Sequence, residues 1–159
     1  MVARLYLDVD GVLCPFVTPL VDEFGDWQVV PGSHDTPWSP TLASMIDELE
    51  AQRVWLTSWE YGANERLCPL FSWPEQLVLE HRPGSLWWKL DALVQHHPRG
   101  VPFIWVDDEM DVRREEIGKI FSDSVTSLDA PYLLISTRSN QGLTRANLTS
   151  VAAFLAEHR

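Results

Sequence analysis

The feature that most limits what this chain can be lies at residues 4–13. An apolar run, Leu5, Tyr6, Leu7 and Val9, carries two aspartates one residue apart, Asp8 and Asp10, followed at once by Gly11. The apolar residues read as a short buried strand. Side chains alternate across a strand, so Asp8 and Asp10 leave its carboxyl end on the same side. Two carboxylates that close repel each other unless a cation or a shared proton relieves them. Gly11 lets the backbone turn sharply behind them. A helix-loop-helix calcium site requires oxygen ligands at fixed offsets and a Glu at its twelfth position. Counted from Asp8, the twelfth position is Pro19 and the fifth is Val12, so the calcium reading fails. The pair suits Mg²⁺ chemistry, in which one carboxylate attacks phosphorus and its neighbour handles a proton.

The rest of the chain repeats a strand-then-helix rhythm. Pro15, Pro19, Gly25, Pro31 and Gly32 break up the stretch after Asp10, where a small flap is expected within 14–32, with a hairpin over Phe16–Val30. Ser39 and Pro40 open a helix as N-cap and first helical residue, with Leu42, Met45, Ile46 and Leu49 on its apolar face. Arg53–Thr57 reads as a second buried strand, Ala63–Leu67 as a short helix and Gln76–Glu80 as a short strand. Pro83, Gly84 and Ser85 introduce a helix carrying Leu86, Leu90, Leu93 and Val94. Val101–Val106 is a strand, Val112–Phe121 a weakly patterned helix and Tyr132–Ile135 the last strand. Thr144 caps a final helix through Leu148, Val151, Phe154 and Leu155. This alternation predicts one α/β domain over 1–159: a doubly wound, Rossmann-like, mostly parallel sheet with helices on both faces. Such folds bind ligands at the carboxyl ends of their strands.

Polar residues gather where that fold would place a ligand. The first strand ends in Asp8 and Asp10, the second in Thr57 and Ser58, and the strand Val101–Val106 in Asp107 and Asp108. Lys89, one of only two lysines, lies between the second and third of these ends. The other, Lys119, follows the acidic pair. In this order the four segments resemble the motifs of the haloacid dehalogenase-like (HAD) hydrolase superfamily: Asp8–Val12 the first, Thr57 the second, Lys89 the third, Asp107 and Asp108 the fourth. The resemblance implies a phosphatase that forms an aspartyl-phosphate on Asp8, with Asp10 as general acid and then general base. It implies Mg²⁺ held by Asp8, the backbone carbonyl of Asp10 and an acid from Asp107 or Asp108, with Thr57 or Ser58 and Lys89 binding the phosphoryl group. Members that cleave carbon–halogen bonds lack the second acid, because a halide leaves without a proton. Asp10 therefore favours phosphoryl transfer.

No stretch is long enough for a large cap domain, so an open site is expected. The paired acids of the last motif are similar to those of polynucleotide-end and RNA-repair phosphatase domains of the same superfamily. A net charge of −11 works against that substrate, since nucleic-acid binding draws on Lys and Arg, although a local basic groove is compatible with it. The expected partner is a phosphorylated substrate, whose identity these residues do not name, as they do not name an oligomeric state. Cys14 and Cys68 match no zinc spacing, and no apolar stretch is long enough to span a bilayer. A cytoplasmic location is expected. Most of the eight tryptophans should be core. The segments Trp59–Asn64 and Ser139–Thr144 follow strand ends and could border the pocket, although loop packing and helix capping would explain both. Two other classes compete: a response-regulator receiver and a catalytically silent binding module. A receiver places its phosphoacceptor Asp at a middle strand end, where this chain has Thr57.

Overall fold

The computed structural model describes all 159 residues. Its centre is a five-stranded, all-parallel sheet in the order β5-β4-β1-β6-β7. These strands are β1 (Ala3–Leu7), β4 (Ala51–Trp55), β5 (Leu77–Val78), β6 (Phe103–Asp107) and β7 (Tyr132–Ser136). β1 and β6, neighbours at the middle of the sheet, are its most fully buried strands, as cover on both faces demands. Leu7 aligns with Trp55 on one side and Val106 on the other. That register sets the ends of the three strands side by side.

Alternation sorts the core into two layers. Leu5, Leu7, Trp55, Ile104 and Val106 face one side. There they pack with α1 (Pro40–Asp47), α2 (Tyr61–Arg66), α3 (Cys68–Phe71) and α7 (Arg145–Glu157). Tyr6, Val54, Phe103 and Trp105 face the other, against α4 (Trp88–His96), α5 (Met110–Ile117) and α6 (Lys119–Thr126). The architecture is the doubly wound α/β type expected from the sequence, with helices on both faces and no large cap domain. Trp38, Trp55, Trp73, Trp87 and Trp105 are buried, in line with a mainly structural use of tryptophan.

Several boundaries differ from the sequence reading. β4 ends at Trp55, so Thr57 and Ser58 lie just beyond it, although the Leu56 amide still bonds the Leu7 carbonyl at 2.9 Å. α4 starts at Trp88, and Leu86 is exposed instead of lying on its apolar face. The expected helix over Val112–Phe121 is two helices, divided at Gly118, whose φ of 63° breaks the α-helical path. Helix starts follow their caps. Ser39 accepts from the Leu42 amide, and Thr144 and Asn147 form a reciprocal capping box.

Antiparallel pairing after the first motif falls at β2 (Gln28–Val29) and β3 (Pro37–Trp38), partly beyond residue 32. Asp26 ties this region to α1 by accepting from the Thr41 amide at 2.8 Å and the Thr41 hydroxyl at 2.7 Å. Those bonds, with one from the Ser39 hydroxyl, outweigh partial burial and hold the Asp26 carboxyl below its ordinary pKa. Phe24, Trp27 and Val30 pack inward, whereas Phe16, Val17, Leu20 and Val21 are exposed.

Candidate active site

β1 stops at Leu7, and the chain wraps at once into a compact loop. The Val9 carbonyl accepts from the amides of Val12, Leu13 and Cys14, and the Gly11 amide bonds the Cys14 carbonyl at 2.8 Å. Gly11 has φ of 74°, and a Cβ there would lie 2.3 Å from the Asp108 carboxylate. Conformation and space both require glycine. The loop is braced from just past the end of β7 by the Thr137 hydroxyl, which donates to the Gly11 carbonyl at 2.6 Å.

This loop leaves Asp8 nearly sealed. One oxygen accepts from the Val9 amide at 2.7 Å, and the other meets Lys89 Nζ at 2.8 Å. Lys89 also reaches Asp107 at 2.6 Å. The second Asp107 oxygen accepts from the Glu109 amide at 2.9 Å. Lys89 lies in the first turn of α4, where the helix dipole favours anions over cations. The residue is 4% exposed, so its ammonium is spent on the two carboxylates.

The electrostatics follow from this burial. Burial raises the Asp8 pKa and outweighs the opposing pull of Lys89, the Val9 amide and Thr57. Burial and the Asp8 charge push Asp107 up to about 7 against the pull of Lys89. Burial alone would lower Lys89, but Asp8 and Asp107 raise it above its ordinary value. The neighbouring Cys14 thiol is driven up to about 12 by burial and by Asp10 and Asp8, which makes it an inert packed thiol.

Asp108 differs from Asp107. It is half-buried, lines the cleft and accepts from the Ser139 hydroxyl at 2.8 Å. Burial raises its pKa against that hydrogen bond. Asp8, Asp107 and Asp108 each offer a carboxylate oxygen, and the three lie within 4.8 Å of one another. Hard oxygen donors of this kind fit Mg²⁺. Asp8 and Asp108 line the cleft, whereas Asp107 lies fully buried beneath it, with both oxygens engaged by Lys89 and the Glu109 amide. The Asp10 side chain stands outside this trio and accepts instead from Trp59 Nε1 at 3.1 Å.

The cleft above these groups holds about 370 Å³ and is lined by Asp8, Asp10, Ser58, Lys89, Asp108 and Glu109, with Phe16 and Trp88 as its apolar walls. Thr57 is fully buried beneath it, its hydroxyl accepting from the Trp59 amide at 3.3 Å. Ser58 reaches the cleft itself. A larger hollow of about 700 Å³ lies at the opposite, amino end of the strands, beside Ala3, Ala51 and Leu155. None of the polar strand ends reaches it, so its size carries no chemistry.

The family model described as the HAD domain in Swiss Army Knife RNA repair proteins matches residues 4–148. The chain belongs to this HAD family. Membership supports a hydrolase of the phosphatase kind, in a superfamily that generally uses Mg²⁺. No curated protein and no solved structure gives a match. The HAD assignment leaves no place for a receiver domain, whose motifs run in a different order.

Two side chains at the HAD site escaped the sequence reading in their specific contacts. Ser139 bonds Asp108, and its only signal was its place after the last strand. Glu109 lines the cleft while its carboxylate pairs with Arg113, where the sequence suggests only a first-turn acid. Conversely, Asn64 proves structural. Its side-chain oxygen accepts from Trp55 Nε1 at 2.9 Å and the Gln76 amide at 2.8 Å, and its nitrogen donates to the Gln76 carbonyl at 2.8 Å. It pins β4 to the segment entering β5.

Proposed function

We propose that the protein is a Mg²⁺-dependent phosphomonoesterase working through an aspartyl-phosphate on Asp8. The observation that carries the reading is the Asp8–Lys89–Asp107 cluster, with Lys89 within 2.8 Å of both carboxylates, beside a cleft that also holds Asp10 and Asp108. Mg²⁺ would be held by Asp8, Asp108 and the Asp10 backbone carbonyl, and Asp107 would sit behind Lys89. The ion would supply charge neutralisation at the phosphoryl oxygens.

An Asp8 oxygen attacks phosphorus while the bond to the leaving alkoxide breaks. Asp10 gives that oxygen its proton. Asp10, now ionised, takes a proton from water as the water oxygen attacks phosphorus. The bond to Asp8 breaks, inorganic phosphate leaves and Asp8 is restored. Lys89 balances charge on Asp8 and the phosphoryl group, Ser58 bonds the phosphoryl oxygens from the cleft wall, and Thr57, buried beneath, supports Asp8. Burial prepares Asp8 for attack because a sparsely hydrated carboxylate has little water to shed.

The substrate we propose is a terminal phosphate on RNA. The family description ties the HAD domain to RNA repair proteins. No large cap domain covers the cleft, and Phe16, from the loop after the first motif, stands at its rim. The chain's net charge of −11 works against binding a long tract of backbone, so the contact would be confined to the terminal phosphate at the cleft. The test is phosphate release from 3′- and 5′-phosphorylated oligoribonucleotides and a nitrophenyl phosphate, with Mg²⁺ or EDTA, using Asp8→Asn as blank. The expected loss in Asp8→Asn is on the order of 10⁴-fold or more. Release by Asp8→Asn at the wild-type rate would remove Asp8 as nucleophile. Release from the aryl ester alone would leave the phosphatase and discard the RNA end.

A further inference from the structure

We infer that Trp59 is a positioning residue that fixes which oxygen of Asp10 carries the catalytic proton. The inference rests on the reading of Asp10 as general acid and base. Trp59 Nε1 donates to Asp10 Oδ2 at 3.1 Å, and this is the one hydrogen bond that the Asp10 side chain makes. An indole N–H is a donor only. It can neither take the catalytic proton nor compete for it. It occupies Oδ2 and leaves Oδ1 as the oxygen that gives and receives the proton.

The indole is itself held from several directions. Its backbone amide bonds the Thr57 hydroxyl at 3.3 Å, and its carbonyl accepts from Gly62 at 2.9 Å. The next residue, Glu60, has φ of 48° and ψ of −127°, a conformation that L side chains rarely adopt. That turn re-aims the chain as it leaves β4. The Arg66 guanidinium sits over the ring, 5.2 Å from its centroid. The ring also packs against the larger core layer. Asp10, by contrast, sits on a loop and faces the open cleft. A carboxyl that must act first as acid and then as base needs the same orientation in both steps. A rigid donor anchored in the core provides it.

The test is a double-mutant cycle of Trp59→Phe and Asp10→Asn, read by rapid-mixing kinetics with a nitrophenyl phosphate and with a phosphorylated oligoribonucleotide. Nitrophenolate leaves without a proton, so Trp59→Phe should keep the fast release that accompanies phosphorylation of Asp8. Its steady-state rate should fall about 10–100-fold, because hydrolysis of the intermediate still needs the base. With the oligoribonucleotide, kcat should fall by a similar factor at nearly unchanged KM. In the Asp10→Asn background, Trp59→Phe should cost nothing further. Equal losses in both backgrounds, or an equally slowed fast phase, would make Trp59 a packing residue and overturn the inference. Full turnover by Asp10→Asn would instead remove the acid/base reading on which it rests. Should Trp59→Phe fold poorly, benzothienylalanine at position 59 keeps the shape and lacks only the N–H. It should give the same pattern, and wild-type kinetics with it would equally overturn the inference.

Discussion

β1 and the residue just past its end carry two buried polar side chains, and they solve burial in opposite ways. Tyr6 is fully buried and meets His97, with its hydroxyl 2.8 Å from Nδ1. His97 Nε2 lies 2.7 Å from the Val101 carbonyl. A carbonyl only accepts, so Nε2 carries the proton, Nδ1 accepts from Tyr6 and the ring is neutral. Burial lowers the His97 pKa to match. Asp8, two residues on, is 5% exposed and joins Asp107 and Lys89 in a charged cluster. The neutral pair satisfies every partner and fixes α4 to the sheet. The charged cluster keeps two carboxylates near one ammonium, which is an expensive way to gain stability. Within three residues, the chain thus passes from a group that holds the sheet together to one whose burial is costly for the fold.

The largest effect should come from breaking the charged cluster on its cationic side. Lys89→Met leaves Asp8 and Asp107 buried together without a counter-charge. Removing one partner of a buried ion pair costs about 3–5 kcal/mol. Measured by denaturant unfolding in EDTA at pH 8, the variant should lose about that much. Both carboxyls already have raised pKa values, and Asp107 stands at about 7. A group whose folded pKa is raised binds more protons in the folded state, so stability grows as pH falls. The deficit of Lys89→Met should therefore shrink toward pH 5. A pH-independent deficit would show that the loss is packing of the lysine stem and not exposed charge repulsion. Asp107→Asn should sharpen the point, costing less than Lys89→Met at pH 8 because it removes a like charge and keeps an acceptor for Lys89.

What could be read in advance follows the same division. The ends of β1 and β6 are legible to within two residues because apolar runs give way to acids there, although β1 stops at Leu7, before the expected Val9, and β6 runs one residue past Val106. Their parallel register then brings the acids together without further information. β4 was placed two residues late because its first half, Ala51, Gln52 and Arg53, is only partly buried and lacks an apolar signal. The start of α4 was misplaced for a tertiary reason. Its N-cap, Trp87, makes no side-chain cap and is held by stacking on Trp105 at 4.7 Å, a partner from another strand. Contacts across long sequence separation left no local trace. The Trp59–Asp10 bond spans 49 positions, and the Thr137–Gly11 bond spans 126. The acids of the site and Lys89 are thus visible in the sequence, while the particular bonds by which Trp59, Thr137 and Ser139 hold the loops and acids are not.

The smallest effect should come from the neutral pair, and it tests the comparison from its other side. Tyr6→Phe removes a donor and leaves His97 Nδ1 buried without a partner, at about 1–3 kcal/mol. The phosphatase rate should not change, because no atom of this pair reaches the cleft. The pH response should run opposite to that of the carboxylates. A histidine whose folded pKa is lowered binds fewer protons when folded, so its contribution is present above the unfolded pKa and is lost as pH falls through it. Stability of the wild type should therefore carry a component that declines below about pH 6.5, the ordinary histidine value. His97→Gln, compared with wild type at pH 7 and pH 5 in the presence of EDTA, should remove that component and leave the opposing carboxylate trend exposed. If His97→Gln and wild type change equally between those two pH values, His97 is not held neutral. The contrast between the neutral pair and the charged cluster would then rest on the cluster alone.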